Sequence, residues 1–264
     1  MLFSPGGLAI DANGAIIVSD HDFHSVQVLA RDGRILRSLA TAENGAAQFR
    51  FPRGVAVDPT GRILVADQEN HRVLVFARDG RVERCLGGFG KGIGRLCRPT
   101  GVAVDALGNI LVADSGNHRV QIYDGRRATV RTLGDGPGAG AGQLQRPVSV
   151  AVDRDQRVVV ADSCNHRVQI FGYDGTLQGT VGSPGSEPGQ LRTPNGVVID
   201  CEGRIIIADS GNRRVQVFSR DGTLEKVWEL PGSGDAAVHT TGLAVDRAGC
   251  ILVAEFCHRQ IVAI

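Results

Sequence analysis

An all-β ring of six four-stranded antiparallel blades, a six-bladed β-propeller, is the fold this sequence predicts. Three observations carry that expectation. The chain copies one unit six times, with starts near Gly7, Gly54, Gly101, Ser149, Gly196 and Gly242 and no insertion within the first 23 positions of any copy. Each copy breaks into short runs rich in β-branched residues, separated by turn chemistry. Glycine fills 36 of the 264 positions, about twice the usual share, and so supplies many tight turns.

The elements follow in order within a unit. Gly101-Val102-Ala103-Val104-Asp105 is a first strand, and the Asp-x-x-Gly that ends at Gly108 is a turn. Residues 110–114, Ile-Leu-Val-Ala-Asp, form a second run that stops at an acid. A polar segment, Ser115-Gly116-Asn117-His118-Arg119, leads to the alternating third run at 120–123. Turns such as Arg78-Asp79-Gly80 then open a fourth, more polar strand, as at 81–87 or 223–229. Four strands in a repeat of this length mark a propeller blade, so residues 1–264 form one domain.

The sixth copy ends with its third strand at Ile264, which leaves the outer strand of the last blade missing or incomplete. Either Leu2-Phe3 pairs there briefly or sequence upstream of Met1 supplies it. The second alternative is favoured, and it makes the ring the C-terminal module of a longer protein.

Composition removes whole classes of function. Lys and Arg number 29 against 28 Asp and Glu, a net charge of +1, so the chain as a whole selects no polyanionic or polycationic partner. A hydrophobic content of 42% is too high for a disordered chain. No apolar run approaches the roughly 18 residues of a membrane span, and the N-terminus lacks the basic and apolar regions of a secretory signal. The six cysteines form no Cys-x-x-Cys pair and match neither zinc-site nor disulfide-framework spacing. Reduced thiols in the cytoplasm are expected, with no metal and no cofactor.

The units resemble NHL repeats. The motif stands as Asn70-His71-Arg72, Asn117-His118-Arg119 and Asn165-His166-Arg167, and the linker pattern as Gly142-Gln143-Leu144-Gln145-Arg146-Pro147 and Gly189-Gln190-Leu191-Arg192-Thr193-Pro194. The chain is similar to the C-terminal propeller of tripartite-motif (TRIM-NHL) proteins. That resemblance implies RNA binding through one face, post-transcriptional regulation of mRNA, and ubiquitin-ligase chemistry in an upstream RING that this chain lacks.

Features present in every copy are expected to serve the fold. The acids at 11, 58, 105, 153, 200 and 246, and those ending the second strands at 20, 67, 114, 162, 209 and 255, recur too regularly for catalysis and suit loop hydrogen bonds and pairing with nearby arginine. His71, His118 and His166 recur in the same way, and equivalent positions on different blades spread around a ring rather than converge on a metal. No Gly-x-Ser-x-Gly, no His-Glu-x-x-His and no phosphate-binding glycine loop is present. A related propeller serves the peptidyl-hydroxyglycine amidating lyases, through a central metal and a reactive tyrosine. Tyr123 and Tyr173, at or just after third strands, are expected to pack instead, and the chain reads as a binding module without catalysis.

Binding residues are then sought where the loops carry charge without repetition. In an antiparallel blade the linker into the first strand and the loop between the second and third strands emerge on one face. The linker segments 48–53, 95–100, 143–148, 190–195 and 236–241 hold Arg50, Arg53, Arg95, Arg98, Arg146 and Arg192 and no acid. Arg53, Arg98, Arg146 and Arg192 flank the linker prolines and are expected to point outward, with Thr100, Asn195 and His239 beside them. The first and last blades depart from the repeat with His21 and Phe23, and with Phe256 and Arg259; aromatic and cationic residues together suit stacking of unpaired bases. Phe49 is expected to be buried, matching Leu96, Leu144 and Leu191. The leading expectation is therefore single-stranded or hairpin RNA on a basic loop face. The alternative is a peptide or protein partner, such as a ubiquitination substrate, docked on the same face.

Overall fold

A computed structural model describes residues 4–39, 48–125, 130–230, 240–255 and 258–264, with 240 and 241 described by backbone alone. Six antiparallel sheets follow one another in chain order, five of four strands and a last one of three. The six innermost strands are Pro5–Ile10, Pro52–Val57, Val102–Val104, Ser149–Val152, Gly196–Ile199 and Thr240–Val245. The chain is a six-bladed propeller. Its last blade stops at Gln260–Ala263, without an outer strand among the described residues. Leu2 and Phe3 lie outside the described residues.

The second strand of each blade is buried along its length in blades two to five, because both its faces meet a neighbouring sheet. A strand buried on both faces needs a continuous apolar run, which Ile-Leu-Val-Ala supplies. Outer strands are exposed along most of their length, as Leu177–Val181 is, since only one face meets protein. Hydrophobic clusters fill the gaps between blades. The gap between blades one and two holds Ile17, Val28, Phe49, Val65 and Phe76. Among the described residues, the gap that closes the ring holds Leu8, Val18, Leu29, Ala244 and Ala254 as buried members. Phe49, Leu96, Leu144 and Leu191 are each fully buried.

Glycine at the head of the inner strands has a steric cause. A Cβ on Gly54 would lie 2.5 Å from the carbonyl oxygen of Thr100, and one on Gly101 2.8 Å from Cα of Ser149, so only a bare backbone lets neighbouring strands approach this closely. The Gly54 amide uses that approach, donating to the Thr100 carbonyl at 2.7 Å. Where serine replaces glycine at 149, its hydroxyl accepts from the Val197 amide at 3.2 Å.

The polar segment after the second strand differs from a simple loop. In blades two to five it is one turn of 3-10 helix, Gln68–Asn70, Ser115–Asn117, Ser163–Asn165 and Ser210–Asn212. The next residue, His71, His118, His166 or Arg213, turns left-handed with φ between 54° and 58°.

Candidate functional site

The acid ending each second strand is the centre of a polar lock. Asp114 stands opposite Arg119 in the strand register, and the Arg119 guanidinium donates through Nε to Asp114 Oδ2 at 2.8 Å. The same oxygen accepts from Asn117 Nδ2 at 2.8 Å, and Oδ1 accepts the Cys97 amide of the linker at 2.7 Å. Asp67, Asp162 and Asp209 repeat the arrangement with Arg72, Arg167 and Arg214. All four carboxylates are fully buried, and the arginines continue to linker carbonyls, as Arg119 Nη2 does to Gly92 and Arg95. These acids and arginines are consumed by the fold, as their repetition implied. They join the linker to the loop between second and third strands, which places both on one face.

The repeated histidines form a second device. The Arg98 amide donates to His71 Nδ1, and the Arg146 amide to His118 Nδ1, both at 3.1 Å. His24 and His166 accept from the Phe51 and Thr193 amides in the same way. Each latch ties one blade to the linker of the next. The four linker residues it holds are all left-handed, with φ of 44° to 54°, a costly conformation for a non-glycine residue that persists because the surroundings over-determine it.

Against this frame the expected binding residues divide. Arg146 and Arg192 are exposed, and neither has a carboxylate partner among the described residues. Arg98 is exposed but not free: its guanidinium pairs with Glu69 of the preceding blade at 2.8 Å. Arg53 does not point outward. It is partly buried at the mouth of the central channel, with Nε donating to Gln68 Oε1 at 3.2 Å. Burial, and then the like charges of Arg98 and Arg146, pull it below the ordinary guanidinium range. Thr100 is a correction too, since it is buried and its hydroxyl donates to the Pro147 carbonyl at 3.2 Å. Asn195 and His21 line the same mouth as Arg53. Desolvation and the Arg53 charge hold His21 below the usual imidazole range, although Asp22 at 3.3 Å opposes them.

Phe23 is 57% exposed. Arg259 is exposed in a left-handed turn. His239 and Phe256 lie outside the described residues. Phe89 was not legible as a candidate. It is 71% exposed on the linker of blade three and packs against His71 in a tilted arrangement with ring centroids 4.9 Å apart. Its loop doubles back, so that Phe89 pairs with Leu96 through the backbone while Leu96 turns inward and the phenyl ring faces solvent. Ile93, in the same loop, is also exposed.

Tyr123 and Tyr173 pack as expected. The Tyr123 hydroxyl donates to the Gly94 carbonyl at 3.2 Å, and that of Tyr173 to Asp105 at 2.9 Å. Burial pushes the Tyr173 phenol up to about 12, with help from the Asp105 hydrogen bond. No group of three or more His, Cys, Asp or Glu is placed to hold a metal ion among the described residues. Among the same residues no helix is long and apolar enough to cross a membrane.

Residues 49–76, 96–123, 144–171 and 191–218 match the NHL repeat, each from the buried linker residue to the end of the third strand. Four segments of the six-bladed propeller thus match the NHL repeat, and they lie in blades two to five. No curated protein sequence matches the chain significantly. Among solved structures, it is similar to a streptogramin B lyase (12% identity, 97% of this chain and 91% of that one, TM-score 0.70). It is also similar to a gluconolactonase from Xanthomonas campestris (18%, 97% and 84%, 0.73) and to virginiamycin B lyase from Staphylococcus aureus (12%, 99% and 84%, 0.69). Identities this low show a shared propeller fold, which hosts enzymes and binding modules alike.

Proposed function

We propose that this propeller is a non-catalytic recognition module that binds single-stranded RNA on its linker face, above blades one to three. The observation that carries the reading is one cluster. Arg53, Arg98 and Arg146 come from consecutive linkers and lie close enough for the outer two charges to depress the first. The exposed rings of Phe23 and Phe89 stand on the same face. Arginines without full compensation suit phosphates, and exposed rings suit unstacked bases, worth roughly 1–3 kcal/mol per base. Most of the repeated arginines are already spent on buried acids. That explains how a chain of net charge +1 offers a local basic surface. In the same proposal the propeller serves a TRIM-type regulator of mRNA in a reducing compartment; Cys85, Cys97, Cys164, Cys201 and Cys250 are free thiols.

The test is selection of a random RNA pool on the purified chain at about 50 and about 200 mM salt, since released counterions make phosphate contacts strongly salt-dependent. A defined motif should emerge, with affinity that falls steeply between the two conditions. Arg98→Glu and Arg146→Glu should weaken binding and flatten the salt dependence. Phe89→Ala should weaken binding about tenfold while leaving that dependence intact. A chain that enriches nothing at the lower salt concentration would end this reading. The exposed Ile93 beside Phe89 would then make a protein partner on the same face the working hypothesis.

A further inference from the structure

The central channel is a feature that RNA binding on the rim does not use. It has a volume of about 370 Å³ and runs the length of the six inner strands. Its wall side chains below the mouth are aliphatic, among them Ala56, Ala103, Val104, Val152 and Ile199. At the linker end a polar ring of His21, Arg53, Thr100 and Asn195 closes around it. Arg53 is the cation of that ring. Among the described residues its guanidinium has a neutral amide as its hydrogen-bond partner and no carboxylate, although the residue is partly buried.

The acid whose charge reaches Arg53 is Glu69, and it is already paired with Arg98. A partly buried cation without an acid of its own is an expensive arrangement unless a ligand completes it. The arginines of the four repeated locks on this face are each paired with a buried aspartate, whereas Arg53, itself partly buried, is held by Gln68 instead. A planar fork with donors to spare matches a carboxylate in bidentate fashion. The aliphatic walls beneath it match an apolar body, and the volume is in the range of ordinary small-molecule pockets. We infer that the channel binds a small aliphatic carboxylate, its head group on Arg53 at the mouth and its chain between the inner strands. Thr100 is spoken for by Pro147, which leaves Asn195 to offer a further amide donor to the second carboxylate oxygen.

Octanoate is the probe, with octanol and octylammonium as controls of equal length and different charge. Calorimetric titration of the folded chain should show saturable binding of one octanoate, at least tenfold tighter than either control. The methyl resonances of Val104 and Ile199, deep in the channel, should move during the titration. Arg53→Gln should weaken octanoate at least tenfold, whereas Arg53→Lys, which keeps the charge, should retain more of it. Melting temperatures of both variants verify that the ring remains intact. Absence of saturable binding to the wild-type chain, equal binding of octanol, or undiminished binding by a folded Arg53→Gln variant would overturn the inference. Because the probe carries no base and reads channel methyls, its failure leaves the RNA reading standing, and failure of RNA selection leaves the octanoate result intact.

Discussion

Blades two to five and the two blades that meet at the ring's seam solve the same problem differently. In the four uniform blades a buried aspartate gathers an asparagine, an arginine and a linker amide, so that both its oxygens are used. In blade six Glu255 takes that position, and His258 at 3.0 Å and Gln260 at 2.7 Å both donate to one oxygen. Its other oxygen is buried without a partner among the described residues. Blade one has no arginine opposite Asp20, where Ser25 stands instead. Ser19 replaces the alanine found in its sister strands and uses its hydroxyl to hold the Gly7 amide and the Arg53 carbonyl. Among the described residues the seam also has fewer buried apolar members, and the Arg31–Asp246 pair spans it on the opposite face. The contrast teaches that the repeated motif is what closes a blade. Residues available for recognition are those the motif leaves over.

The largest expected effect tests the lock itself. Asp114→Ala strands a buried guanidinium, an amide and a side-chain donor together, and should cost about 3–5 kcal/mol in chemical denaturation. Glu255→Gln, with one oxygen already idle, should cost less than about 1 kcal/mol. Equal losses would erase the distinction between the two regions. Next comes the inner ring. Gly54→Ala drives a methyl group into the Thr100 carbonyl and should lower stability by about 1–3 kcal/mol, whereas Ser149→Gly should stay within about 1 kcal/mol. Smaller still is the latch. His118→Ala leaves an amide that solvent can reach and should cost about 0.5–1 kcal/mol.

The least of these effects belongs to the seam and depends on pH. Burial and the Arg53 charge make His21 harder to protonate in the folded chain than in the unfolded one. Its contribution is therefore complete above the ordinary imidazole value of about 6.5 and declines as acid carries the pH down through the folded value. Thermal unfolding between about pH 7.5 and about pH 5 should show a shallower decline for His21→Gln than for the wild-type chain. A steeper decline would mean that the Asp22 pairing outweighs burial.

Much of this architecture was legible in the residues, and the remainder was hidden for identifiable reasons. Asp114 and Arg119 could be read as partners because a strand, one turn and a returning strand set them opposite each other. Leu96 could be read as buried because three sister positions are apolar. The Arg98–Glu69 pair could not be read, since it joins consecutive blades across a gap whose width depends on packing. Thr100 and Arg53 occupy equivalent places after a linker proline at the channel mouth, yet the threonine is buried on the Pro147 carbonyl whereas the arginine stays partly exposed and reaches Gln68. Repeat alignment treats them alike. Phe89 lies between the outer-strand segment 81–87 and the linker segment 95–100, where the repeat pattern assigns no role, and only the path of its loop turns it outward.

The left-handed linkers at Arg98 and Arg146 have a kinetic consequence. Each is pinned at its amide by a histidine of the preceding blade and followed by a proline, so its main chain has no freedom left to lose when a ligand arrives. A surface prepared in this way can be engaged on first encounter without a slow rearrangement step, and the lifetime of the complex then becomes the quantity that separates one ligand from another.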